Sequence, residues 1–199
     1  MFQSGPEGWG SVLVNVVFGA WFGRVLLETG IAATLIRKTT ELGGDKPAIT
    51  CILLCIVTAA IFSSLFGAGA VVAISVIILP IFMSLGIPKV LSVVSFMLSI
   101  GTGMFLNPVL FGQYTAFFLD GDGKVLYPYE QYVKWGGIAL AVQLVFIIIL
   151  ILFCMRKKSV HSWAARRPVR RKMDFAPTPS LLTPFIPVFL LIVFKVPII

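Results

Sequence analysis

Val90-Leu-Ser-Val-Val-Ser-Phe-Met-Leu-Ser-Ile-Gly-Thr-Gly-Met-Phe-Leu-Asn-Pro108 reads as an apolar helix that runs into its own obstacle. Proline removes a backbone donor and pushes the residue before it out of helical geometry. Gly101 and Gly103 loosen the chain just upstream. The spacing therefore predicts a helix that unwinds between Gly101 and Pro108. Non-helical backbone inside an apolar run persists only where protein or a water-filled cavity satisfies its polar groups. That singles out Gly101, Thr102, Gly103, Asn107 and Pro108 as candidate binding residues.

The surroundings of this stretch are those of a bilayer protein. The 199-residue chain is 58% hydrophobic and 12% charged, and its mean hydropathy is +1.01. A soluble domain carries about twice that share of charge, so a water-facing surface cannot be built. Apolar runs near residues 9–28, 48–66, 70–86, 90–118 and 133–155 make a membrane domain over 1–155. Residues 156–176 form a basic loop, and 177–199 hold a further apolar segment broken by Pro177, Pro179, Pro184 and Pro187. The expected fold class is an all-α integral membrane protein of five to six hydrophobic segments. Runs 48–66 and 70–86 are separated by little more than Gly67-Ala68-Gly69, which fits two spans or a re-entrant hairpin. Ser63, Ser64, Gly67 and Gly69 join the candidate site there, because hydroxyls and freed backbone donors suit a carboxylate or a coordinated ion.

Charge gives orientation. Eight of the sixteen basic residues lie between Arg156 and Lys172, the pattern of a cytoplasmic loop rather than of a nucleic-acid reader. Segment five then enters from outside, and the turn at Asp120-Gly-Asp-Gly is external. That turn lacks a calcium loop's ligands, with Lys124 and Gln131 at positions five and twelve. Residues 1–8 contain no Lys or Arg, so no cleavable signal is read, and the chain begins as though another segment precedes it. Residues 31–42 place Ile31, Leu35 and Leu42 on one side, which predicts a short helix lying in the interface.

Enzyme signatures are missing: no acid lies in segments two to five, and the sole histidine, His161, sits in the basic loop. Cys51, Cys55 and Cys154 read as small apolar side chains rather than as a metal set. Arg24 and Glu28, one helical turn apart, are a candidate coupling pair for a proton, or else a neutralised pair at the membrane boundary. No cofactor is called for beyond a coupling proton or sodium ion.

Phe18-Gly-Ala-Trp-Phe-Gly-Arg-Val-Leu-Leu-Glu-Thr-Gly-Ile-Ala-Ala-Thr-Leu-Ile-Arg-Lys38 resembles the early segment of the gluconate:proton symporter family and its citrate–metal symporter relatives. Gly69-Ala-Val-Val-Ala-Ile-Ser-Val-Ile-Ile-Leu-Pro-Ile-Phe82 with Leu85-Gly-Ile-Pro88 is similar to that family's next block. Thr102-Gly-Met-Phe-Leu-Asn-Pro108 stands where gluconate symporters carry a His-Gly-Phe-Leu-Pro-Pro type of break, with Thr102 and Asn107 replacing an imidazole and a proline. The resemblance covers residues 10–115 and implies the ion transporter superfamily, whose members are about twice this length and built from inverted repeats. It implies one repeat of a carrier for organic anions such as citrate, gluconate or dicarboxylates, completed by a second half or a homodimer. A sodium:proton antiporter of the same superfamily and a non-transporting assembly subunit are the alternative readings. The expected location is the cell membrane, with several passes.

Overall fold

Glycine and proline divide the chain into its helices. The computed structural model describes residues 10–44, 46–115, 118 and 126–156, together with 182, 183, 185, 186, 189 and 193. The Asp120 turn, the basic loop beyond Arg156 and most of 177–199 lie outside the described residues. Those described form seven helices and no strand: α1 (Gly10–Glu28), α2 (Ile31–Gly43), α3 (Pro47–Phe62), α4 (Ala68–Ser84), α5 (Lys89–Met104), α6 (Pro108–Thr115) and α7 (Tyr129–Arg156). At the first four joints a glycine takes a positive φ: Gly30 at 73°, Gly44 at 54°, Gly67 at 105° and Gly86 at 80°. An L side chain rarely adopts such values, so these residues let the chain turn at little cost. The joint between α5 and α6 instead uses Asn107-Pro108.

α3 is the central helix, packed against α2, α5 and α7, and its contact with α5 is the most extensive in the fold. The residues buried on the two helices are small or polar along much of their length. On α3 they include Cys51, Cys55, Thr58 and Ala59, and on α5 Ser92, Ser95, Ser99 and Gly103. Small side chains let backbones approach closely, which is how helices associate where no water drives them together. A Cβ on Gly103 would collide with the Ala59 carbonyl and with Phe62. Larger groups, among them Leu54, Phe62, Ile74, Ile78, Phe82 and Phe96, fill the core around that seam.

One helix, Tyr129–Arg156, is long and apolar enough to cross a membrane alone, and only 11% of its apolar window is buried within the chain. Two further pairs pass the same test together: Val16–Glu28 with Ile31–Gly43, bent by 57°, and Lys89–Met104 with Pro108–Thr115, bent by 61°. α3 and α4 have 16 and 17 residues, about 24–26 Å at 1.5 Å per residue, short of a ~30 Å hydrocarbon core. Of the five to six spans expected from hydropathy, the described residues show one helix long enough to cross alone, or up to three spans if each bent pair counts as one.

Two local expectations change. α2 does not offer Ile31, Leu35 and Leu42 as one outward apolar stripe. It buries Ile31, Ala32, Ala33, Thr34, Ile36 and Thr39 against its neighbours, while Leu42 is 81% exposed. The close approach to α3 is at Gly43, where a Cβ would strike Thr50. The second change is where segment four unwinds. Gly101, Thr102 and Gly103 are all helical, and α5 ends only at Met104. α7 also starts earlier than residue 133, at Tyr129.

Candidate functional site: a polar node at two helix breaks

Ending a helix leaves its last four carbonyls without intrahelical partners. In α3 these belong to Ala59, Ala60, Ile61 and Phe62, and each has one. The Ser63 amide donates to Ala59 at 3.0 Å, and the Ser64 and Leu65 amides both donate to Ile61. The Ser63 hydroxyl donates to Ala60 at 2.8 Å. The Phe62 carbonyl receives the Asn107 side-chain amide at 3.0 Å, and the same amide donates to Leu65 at 2.8 Å.

The other half of Asn107 starts α6. Its Oδ1 accepts the Val109 amide at 2.9 Å and the Leu110 amide at 3.3 Å, while Phe111 donates to the Asn107 carbonyl at 3.1 Å. Asparagine at the N-cap followed by proline at the first helical position is a favoured helix start. Asn107 is wholly buried, and every polar group of its side chain is engaged. It therefore ties the end of α3 to the start of α6, joining the two breaks.

The end of α5 is held from another side. Met104 carbonyl accepts the Asn107 amide at 3.1 Å and the Tyr132 hydroxyl, also at 3.1 Å. Leu106 carbonyl accepts the Tyr129 hydroxyl at 3.3 Å. Gly136 lets α7 lie directly on the Phe105 carbonyl, which a Cβ would strike. Phe111 meets Tyr132 with ring centroids 5.0 Å apart and Tyr129 at 5.1 Å. Tyr129 and Tyr132 were not among the sequence candidates. Their signal was present, since three of the chain's four tyrosines fall within residues 127–132.

The fold thus brings Ser63, Ser64, Gly103, Asn107 and Pro108 to one node. Thr102 is wholly buried beside it and donates to Leu98 at 2.8 Å. Gly67 has φ 105° and ψ 154° at the N-cap of α4 and supplies no side-chain cap. Around Gly67, Gly69 and Gly101 there is open space where a Cβ would go. Arg24 and Glu28 stand apart from the node. They pair with each other at 2.7 Å on the outer face of α1, 78% and 66% exposed, although Gly23 next to them packs on Leu65. A second pair of the same kind joins Arg37 and Glu41 at 2.9 Å.

No protein-family model matches the chain, and no curated protein or solved structure does.

The chemistry of the node is asymmetric. The last four carbonyls of α3 and the Gly103 and Met104 carbonyls of α5 accept hydrogen bonds, and Asn107 takes the Val109 and Leu110 amides of α6. The first turn of α4 is different: its N-cap is a glycine, and its opening residues Ala68 and Gly69 are exposed. Backbone donors at a helix N-terminus carry a partial positive charge, and no atom stands within 4 Å of where a Cβ on Gly67 or Gly69 would lie.

Proposed function

We propose that the chain is a secondary active transporter, or part of one, for organic anions such as citrate, gluconate or dicarboxylates, coupled to protons or sodium. The observation that carries this reading is the meeting of two helix breaks through Asn107. Carriers commonly bind substrate where helices are interrupted, because freed helix ends aim partial charges at the ligand. The uncapped start of α4 offers amide donors to a carboxylate, and Gly67 and Gly69 let a ligand approach the backbone. Asn107 and Thr102 serve as positioning residues beneath that site, their polar groups being committed to backbone carbonyls and amides. An organic anion is favoured over a sodium ion as the main ligand because the exposed first turn of α4 presents amide donors rather than carbonyls.

In this reading the protein sits in the cell membrane with several passes and is completed by a second half or a second copy. The outward apolar side chains of α1, α4 and α7, including Val17, Val76 and Phe146, face lipid or that partner.

The test is uptake of radiolabelled citrate, gluconate and C4-dicarboxylates into proteoliposomes under imposed proton or sodium gradients. Gradient-driven accumulation of one of them is expected. If none moves while a sodium gradient drives proton flux, the antiporter reading replaces this one. Impermeant labelling of single cysteines at Ser159 and Lys124 in intact cells tests orientation, with Lys124 expected to be reached from outside and Ser159 not.

A further inference from the structure

We propose that Tyr129 and Tyr132 form a releasable latch that sets the angle between α5 and α6, with Asn107 as the fixed side of the same joint. The proposal rests on the reading of this break as the moving part of a carrier, and it deepens that reading by naming what holds the break closed.

The two sides of the joint differ in ways that decide which one gives. Asn107 is wholly buried and makes four hydrogen bonds, all to backbone, two at the end of α3 and two in the first turn of its own α6. Releasing it would orphan two carbonyls and two amides at once. Each tyrosine makes one bond to the break, at 3.1 and 3.3 Å, and both are only partly buried. Both also lie in the first turn of α7, so a small tilt of that helix withdraws the two hydroxyls together.

There is room for the movement. A cavity of about 450 Å³ lies beyond Tyr132, walled by Phe111, Tyr114, Thr115, Phe118 and Tyr127. Tyr132 can turn into that space and exchange one aromatic neighbour for another, since Tyr114 already stands 6.4 Å away, centroid to centroid. What changes is the pairing of the Met104 and Leu106 carbonyls. While the hydroxyls cover them, the bend of 61° is held from both sides. Once uncovered, the joint keeps the Asn107 link to α3 and the packing of α6 on α1 and of α5 on α3, but the bend loses the two restraints that the α7 hydroxyls supply.

The experiment measures that angle directly. Spin labels at Met97 on α5 and Gln113 on α6 go into the full chain, with Cys51, Cys55 and Cys154 replaced by alanine, reconstituted in lipid nanodiscs. Tyr129→Phe/Tyr132→Phe keeps both rings and removes both hydroxyls. We expect the single distance of the parent to split or broaden, the ratio of the two arrangements shifting roughly tenfold for two lost hydrogen bonds. Each single substitution should give an intermediate result. Tyr127→Phe, which lines the cavity but makes no hydrogen bond to the break, should match the parent. An unchanged distribution in the double variant overturns the latch. Helix content and the thermal unfolding midpoint, measured on the same samples, separate a loosened joint from an unfolded chain. In proteoliposomes the double variant should change the maximal rate of uptake more than its half-saturation. If the parent moves no anion, the proposed transport function fails, while the distance measurement still decides the latch.

Discussion

The Asn107 side-chain amide donates to the Leu65 carbonyl at 2.8 Å across 42 positions of sequence. That bond ties two interruptions of the helical chain to each other. The same side chain caps α6, and its loss is felt at both ends.

Asn107→Ala should destabilise the protein by roughly 2–5 kcal/mol, because two amides at the start of α6 and two buried carbonyls lose their partner. Asn107→Asp keeps the acceptor for Val109 and Leu110 but presents a carboxylate oxygen to the Phe62 and Leu65 carbonyls, so it should not rescue. Unfolding midpoints in detergent micelles check both. Midpoints equal to that of the parent would show that the two breaks stand without this link.

Gly67 and Gly69 should part company on substitution. Gly67 occupies a backbone region that is open essentially to glycine alone, so Gly67→Ala should cost about 1–3 kcal/mol. Gly69 lies in the first helical turn with open space around it, so Gly69→Leu should leave stability within about 0.5 kcal/mol. If the anion meets the start of α4, that leucine should nevertheless cut uptake by about tenfold or more. Normal uptake by a stable Gly69→Leu protein would move the substrate elsewhere.

Neighbouring glycines in α7 supply an internal control. A Cβ at Gly136 strikes the Phe105 carbonyl, whereas none is met at Gly137. Gly136→Ala should force α7 off the break and cost about 1–3 kcal/mol. Gly137→Ala should be neutral or stabilise by about 0.5–1 kcal/mol through its better helix propensity. Paired thermal melts decide, and equal midpoints would remove α7 from the joint.

Ser95 Oγ is the one buried side-chain oxygen or nitrogen without a hydrogen-bond partner among the described residues. Ser95→Ala should therefore be neutral or stabilising by up to about 1 kcal/mol. Ser99→Ala removes a hydroxyl that donates to the Ser95 carbonyl at 2.7 Å and should not stabilise. A clear loss of stability in Ser95→Ala would mean that the hydroxyl does have a partner.

Several features were legible in the sequence because they depend on local chemistry. Low charge and high hydropathy set the class of environment. Glycines at 30, 44, 67 and 86 mark four of the joints, since backbone freedom is a property of the residue itself. Asn107-Pro108 marks the fifth. Hydropathy reports how apolar a run is and not where its helix ends, so among the described residues its runs correspond to one helix of membrane length and to others that are shorter or bent.

What only the tertiary structure decided is which groups meet. Asn107 was legible as a polar residue at a break, but the carbonyls of Phe62 and Leu65 that occupy its amide lie more than forty positions away. Tyr129 and Tyr132 looked like ordinary aromatic residues at the start of an apolar helix until their hydroxyls were seen on Leu106 and Met104. Leu42 belonged by spacing to an apolar stripe, yet the fold turns Ala32, Ala33 and Thr34 inward instead. The reason is the same in each case. A sequence records what a residue can donate, accept or bury, whereas the partner that uses that capacity is chosen by packing between segments far apart in the chain.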